Sequence, residues 1–292
     1  VRVVRTRSFR QVALVFAVWA SAVGTLGAQT PRAVARVTGP LVLALDVRET
    51  PRRIFHVRET LPVTPGTLTL AYPKWLPGEH EPDGPITDMV GLHITAGGQA
   101  LDWHRDPLDV FVFHVEVPPG VQTIEASFDF LSALNTTGFT SAASVTAHLG
   151  VYSWNQVVLY PVGPASDDIR VVPSIDLPTG WSLASVLMVD RQQGTTVTFA
   201  PVSLTTLVDS PVIAGEHLRT VAIDTSSRPV SVSMVADLPS SVEAPASVVE
   251  SWTRLVREAD ALFGARHYDR YRFLLTLSDR VAHFGLEHHQ SN

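Results

Sequence analysis

Ile124, Ala126, Phe128 and Phe130 alternate with Thr123, Glu125, Ser127 and Asp129. This is the period of two by which a strand turns one set of side chains to a core and the other to water. Phe111, Phe113, Val115 and Val117 repeat the pattern until Pro118-Pro119-Gly120 stops it, and Val230, Val232 and Met234 alternate with Ser231 and Ser233. Shorter runs predict further strands at 41–47, 54–59, 67–72, 157–160, 169–172, 195–199 and 218–223. Strands at this spacing, separated by proline and glycine turns, predict a mainly β domain built as an antiparallel β-sandwich or saddle. No fixed-period repeat is present, which argues against a propeller or solenoid.

The period changes after Leu238-Pro239-Ser240-Ser241. Val248, Trp252, Leu255, Ala259 and Leu262 fall at helical spacing, with Glu250, Arg254, Arg257 and Glu258 between them and Gly264 where a C-terminal cap belongs. An aromatic and apolar strand is expected over 271–277, a turn at Ser278-Asp279 and a second strand over 284–291. One helix and two strands cannot close a core alone, so a boundary near 240 divides a β domain, 29–240, from the start of an α/β domain, 241–292.

The first residues follow neither pattern. Arg2, Arg5, Arg7 and Arg10 precede an apolar run over 12–23 and a small-residue exit at Leu26-Gly27-Ala28. The run is shorter than the roughly 20 residues of a membrane-spanning helix. It predicts a signal peptide over 1–28, an exported protein in the periplasm or outside the cell, and no stable membrane anchor once that segment is cleaved. Removing four arginines and no acid takes the net charge from −6 to −10. An acidic exported chain is a poor nucleic-acid binder.

Composition narrows the chemistry further. With no cysteine, a disulfide framework, a thiolate zinc site and a cysteine nucleophile are excluded. Lys74 is the single lysine, which leaves no lysine for a P-loop. A helical zinc hydrolase needs His-Glu-x-x-His, because histidines four residues apart share a helix face beside the glutamate that works on the metal-bound water. The only His-Glu followed by a short spacer is His80-Glu81, and Pro82-Asp83-Gly84 follows it, so both the second histidine and the helix are missing. His283, His288 and His289 are close in sequence, but strand neighbours 288 and 289 point to opposite faces and do not form a joint metal site. No Gly-x-Ser-x-Gly elbow occurs, and Asn135-Thr136-Thr137 matches a glycosylation acceptor, a pattern frequent by chance.

Several segments together resemble the glycyl aminopeptidase family of zinc metallopeptidases, whose members commonly carry a PDZ module. They are Tyr72-Pro73-Lys74-Trp75-Leu76-Pro77-Gly78-Glu79-His80, Trp154-Asn155-Gln156, Leu207-Val208-Asp209-Ser210-Pro211-Val212-Ile213-Ala214-Gly215, Ala261-Leu262-Phe263-Gly264, Tyr271-Arg272-Phe273-Leu274-Leu275 and Phe284-Gly285-Leu286-Glu287-His288-His289-Gln290-Ser291. They stand in family order over about 40–292, and the last is the most specific. The resemblance implies an N-terminal β domain followed by the first helix and strands of a thermolysin-like catalytic domain. It also implies zinc as the cofactor, with the ligands and catalytic base beyond Asn292 and none in this chain. It implies peptide substrates cleaved at N-terminal Gly or Ala-type residues, and a substrate-binding strand formed by Gly285, Glu287 and His288. There Glu287 meets the free α-ammonium and Gly285 admits close backbone approach. By the same resemblance the chain alone is expected to be inactive. The competing reading, from a different class, is a non-catalytic secreted β-sandwich that binds peptide or carbohydrate.

Overall fold

The computed structural model describes residues 33–76, 81–138 and 142–288. The expected signal peptide at 1–28, His80 and His289 lie outside the described residues. The described chain is mainly β. Its largest sheet has nine strands, ordered Val189–Gln193, Thr196–Phe199, Arg170–Asp176, Leu41–Asp46, Ile54–Pro62, Thr123–Leu131, Met89–Ala96 and Gln99–Ala100, with Val202–Ser203 also on Arg170–Asp176. Every pairing in it is antiparallel except that of Leu41–Asp46 with Arg170–Asp176. A second sheet of four strands runs Tyr160–Pro161, Gly66–Ala71, Val112–Val117 and Trp103–Arg105.

The alternation in sequence becomes the core between these sheets. Phe55, Val57, Leu61, Phe128 and Phe130 from the large sheet join Leu68, Leu70, Phe113 and Val115 from the small one in a single apolar cluster. The segment expected as a strand over 157–160 contributes pairing only at Tyr160–Pro161. Val157, Val158 and Leu159 are instead buried loop residues. They carry no period because the chain there enters the core lengthwise and buries consecutive side chains.

Two smaller sheets hold the other strands of the described residues. One is ordered Ser182–Ala184, Val212–Gly215 and Leu149–Tyr152. The other holds His217–Asp224 and Val230–Ala236 as a hairpin, with Tyr271–Leu277 added parallel to the second strand. A parallel neighbour needs a crossover, and the helix Ala246–Phe263 supplies it. Leu149, Ala184, Ile213, Val235 and Val281 pack between these two sheets. They meet closely at Gly215, where an added Cβ would lie 2.4 Å from Val235 Cγ2 and 2.7 Å from the His148 carbonyl oxygen.

The helix matches its expected span, but the face it buries is different. Val249, Trp252 and Val256 pack on the hairpin side, while Val248, Leu255 and Leu262 face solvent. The helix carries two apolar stripes, and among the described residues only one meets a sheet. The second strand expected over 284–291 does not form in its described part: residues 284–288 have no ladder partner. His288 is held by its side-chain contact with Asp209 instead. Among the described residues no helix is long and apolar enough to cross a membrane.

Candidate functional site

A cavity of about 400 Å³ opens between the strand Tyr271–Leu277, the segment 281–288 and the loops that flank Leu149–Tyr152 and Val212–Gly215. Gly285, Glu287 and His288, the three residues expected to bind substrate, all line it. The segment that carries them is fixed near both ends. Val281 is buried and the Ala282 N–H donates to the Ala143 carbonyl oxygen at 2.8 Å. At the other end His288 Nδ1 lies 3.1 Å from Asp209 Oδ1, with the two side chains only 18% and 4% exposed. Between these anchors Gly285 and Glu287 are exposed. A Cβ built on Gly285 would meet nothing within 4 Å, so the space beside this backbone is open.

Asp209 is placed by the element before it. Ser203 caps the helix Leu204–Val208 by accepting from the Thr206 N–H, and Asp209 is the residue that ends it. In sequence Asp209-Ser210-Pro211 has the composition of a strand-end turn. In the fold that turn also delivers a buried carboxylate to His288, from 79 positions away. His283 does not join His288: its Nε2 is 2.8 Å from the Ser278 carbonyl oxygen. The metal-ligating groups therefore go to separate anchors, and no three His, Asp or Glu side chains converge among the described residues. The zinc implied by the resemblance has no fitting ligand set here.

The opposite wall comes from the β-sandwich. Ser144, Ser153 and Gln156 line the cavity, and the segment 156–159 is held by two core side chains. The Tyr72 hydroxyl donates to the Gln156 carbonyl oxygen at 2.9 Å. The Leu159 N–H donates to Glu59 Oε1 at 2.7 Å. Glu59 is wholly buried, and burial pushes its carboxyl well above the usual range, partly opposed by that hydrogen bond. Lys74, from the first family-like segment, is remote from this lining and pairs with Asp109 at 3.0 Å.

One cavity residue has a sequence signal that periodicity alone does not interpret. Arg272 interrupts an otherwise aromatic and apolar strand, and it lines the cavity half-buried. Its Nη1 donates to the Ser185 carbonyl oxygen at 2.7 Å. Burial holds its guanidinium below the usual arginine value, and the neighbouring charge of Arg270 acts in the same direction. A wider depression of about 940 Å³ is lined by His148, Asp237, Ser278 and Arg280 among others. Its central carboxylate, Asp237, is already engaged by the Thr146 and Ser278 hydroxyls at 2.6 and 2.5 Å, so it offers a less open polar site.

Comparison with known proteins bears on the family and the fold. The sequence profile of the peptidase M61 N-terminal domain matches residues 43–216, more than half of the chain. The match ends one residue before the strand His217–Asp224 begins the last sheet. Among solved structures, an aminopeptidase N family protein from Idiomarina loihiensis is similar in fold with a TM-score of 0.66 at 14% identity, over 85% of this chain and 44% of that one. An M1 zinc metallopeptidase from Deinococcus radiodurans has a TM-score of 0.46 at 16% identity, covering 82% of this chain and 56% of its own. For yeast LTA4 hydrolase in complex with bestatin the values are 0.49, 13%, 83% and 37%. The chain thus spans less than two thirds of each of these structures. No curated protein sequence matches it.

Proposed function

The chain belongs to the peptidase M61 family through that family's N-terminal domain, and on that premise we propose that it is the N-terminal part of an exported, zinc-dependent aminopeptidase. In this reading it supplies the β domain and the opening elements of the catalytic domain. The division falls near 240 by sequence texture. The pairing of His217–Asp224 and Val230–Ala236 with Tyr271–Leu277 favours a start nearer 217. Zinc, when bound by residues other than those described, would activate the water that attacks the first peptide bond.

The observation that carries this reading is the anchored segment on the cavity wall. An exopeptidase must measure one residue from a positively charged chain end, and an exposed carboxylate on a fixed backbone performs that measurement. Glu287 has this position, between the Ala282–Ala143 hydrogen bond and the His288–Asp209 contact. The open space beside Gly285 leaves room for an extended peptide to lie along the backbone. His288 serves as the anchor of the segment through Asp209. Gly and Ala-type N-terminal residues are the proposed preference, on the strength of the family resemblance.

The test is hydrolysis of glycyl and alanyl chromogenic amides by the product of the reading frame continued past Asn292. We expect chelator-sensitive turnover, no turnover by the 292-residue chain, and a loss of about 100-fold or more in kcat/KM for Glu287→Gln on free-amine substrates. Chelator-sensitive cleavage by the 292-residue chain alone, or full activity of the Glu287→Gln variant, would overturn the assignment. Peptide binding without any turnover would leave a binding module instead.

A further inference from the structure

The strand Tyr271–Leu277 sends alternate side chains to opposite faces. Tyr271, Phe273 and Leu275 join the apolar cluster with the hairpin and the helix Ala246–Phe263, whereas Leu274 joins the cluster with Leu149, Ala184 and Ile213. Arg272 is on the Leu274 side and lines the cavity. A guanidinium there displaces apolar packing and loses water, which is unfavourable for a cation that gains no anion in return. The Ser185 carbonyl accepts one of its five N–H donors. Among the described residues no carboxylate forms an ion pair with it.

We propose that Arg272 recognises a carboxylate of the ligand held in this cavity, so that the peptides it takes are short ones carrying an acidic group as well as a free amine. The inference rests on reading the cavity as a peptide cleft. A planar guanidinium matches a carboxylate through two parallel hydrogen bonds, which a lysine or a hydroxyl does not reproduce. Glu287 lines the same cavity, and among the described residues no ion pair joins it to Arg272. Both charges are therefore available to a zwitterion. Ser144, Ser153 and Gln156 lie on the same lining and offer uncharged partners for the rest of the peptide.

The carboxylate has two sources in a short peptide, its C-terminus or an acidic side chain, and the test separates them. The 292-residue chain is titrated calorimetrically with Ala-Ala, Ala-Ala-amide and Ala-Glu-amide. We expect one or both acidic peptides to bind at least about tenfold more tightly than Ala-Ala-amide. Preference for Ala-Ala marks the C-terminus, and preference for Ala-Glu-amide marks the side chain. Arg272→Gln should remove that preference, and Arg272→Lys should restore part of it. Equal binding of all three peptides, or a preference that survives in Arg272→Gln, overturns the role of Arg272 and leaves the peptidase reading intact. Failure of every peptide to bind overturns the role of Arg272 together with the reading of the cavity as a peptide cleft, and leaves the family assignment untouched. If Arg272→Gln does not fold, the wild-type comparison and Arg272→Lys still decide.

Discussion

Glu59 sits at the centre of the large sheet, paired with Leu43 and Ala126 on its two neighbours. One oxygen accepts from Leu159 and the other has no hydrogen-bond partner among the described residues. A charged carboxylate in that position lacks solvation, so the native state holds the proton to a higher pH than the unfolded chain does. Between the ordinary carboxylate pKa and the raised native one, the unfolded state has lost the proton that the native state keeps. Stability therefore falls as pH rises through that window, by at most about 1.4 kcal/mol per pH unit. Glu59→Gln keeps an acceptor for Leu159 and cannot ionise. It should raise the melting temperature at pH 7 and change it little at pH 4, as followed by circular dichroism. A stabilisation equal at both pH values would show that ionisation of Glu59 is not the cause. The sequence displays Glu59 as an acid among apolar strand residues, but its partner lies 100 positions away. Only the fold reveals what it supports, the buried backbone at Leu159.

At the scale of elements the helix Ala246–Phe263 shows how far periodicity reaches. The spacing of Val248, Trp252, Leu255, Ala259 and Leu262 defines a valid apolar stripe, as does that of Val249, Trp252 and Val256. Contact with the hairpin selects the second. Val256→Ala should accordingly destabilise the chain by about 1–3 kcal/mol, and Leu262→Gln should stay within about 0.5 kcal/mol. Denaturant unfolding of both variants checks this, and the reverse order would place the buried face on the other stripe. The cap is legible from sequence alone. Gly264 has φ of 67° and its N–H donates to the Asp260 carbonyl oxygen at 2.9 Å. Gly264→Ala should cost about 1 kcal/mol, because a Cβ disfavours the left-handed region. Arg266 then ties the helix end to the hairpin by bridging Asp260 and Asp224, a link between 224 and 260 that no local pattern announces.

At the scale of the whole molecule the apolar material is unevenly divided. The sandwich has an extensive core in which Phe55, Phe113 and Phe199 are almost fully enclosed. The last sheet and its helix share a much smaller cluster and leave Leu255, Leu262 and Phe263 exposed. Buried apolar area is the main source of stability, so the part from 217 onwards should open at lower free energy than the sandwich. Native-state amide exchange should show faster opening in Val230–Ala236 and Tyr271–Leu277 than in Ile54–Pro62 and Thr123–Leu131. Equal protection throughout would show instead that the chain opens as one cooperative body. The family match ends at residue 216, just before that part begins.

What the sequence determined by itself is local. The strands 41–47, 54–59 and 124–130, the helix with its glycine cap, the strand over 271–277 and the distinctive Gly285-Leu286-Glu287-His288 run are all legible, because side-chain period and turn chemistry act over a few residues. The tertiary structure decided everything that depends on a distant partner. It paired Leu41–Asp46 in parallel with Arg170–Asp176, chose the covered face of the helix, and brought Asp209 to His288. It also turned Arg272 toward a cavity rather than toward water. Such choices follow from which surfaces fit and which polar groups are satisfied when segments remote in sequence are packed together, and no short window of residues contains that information.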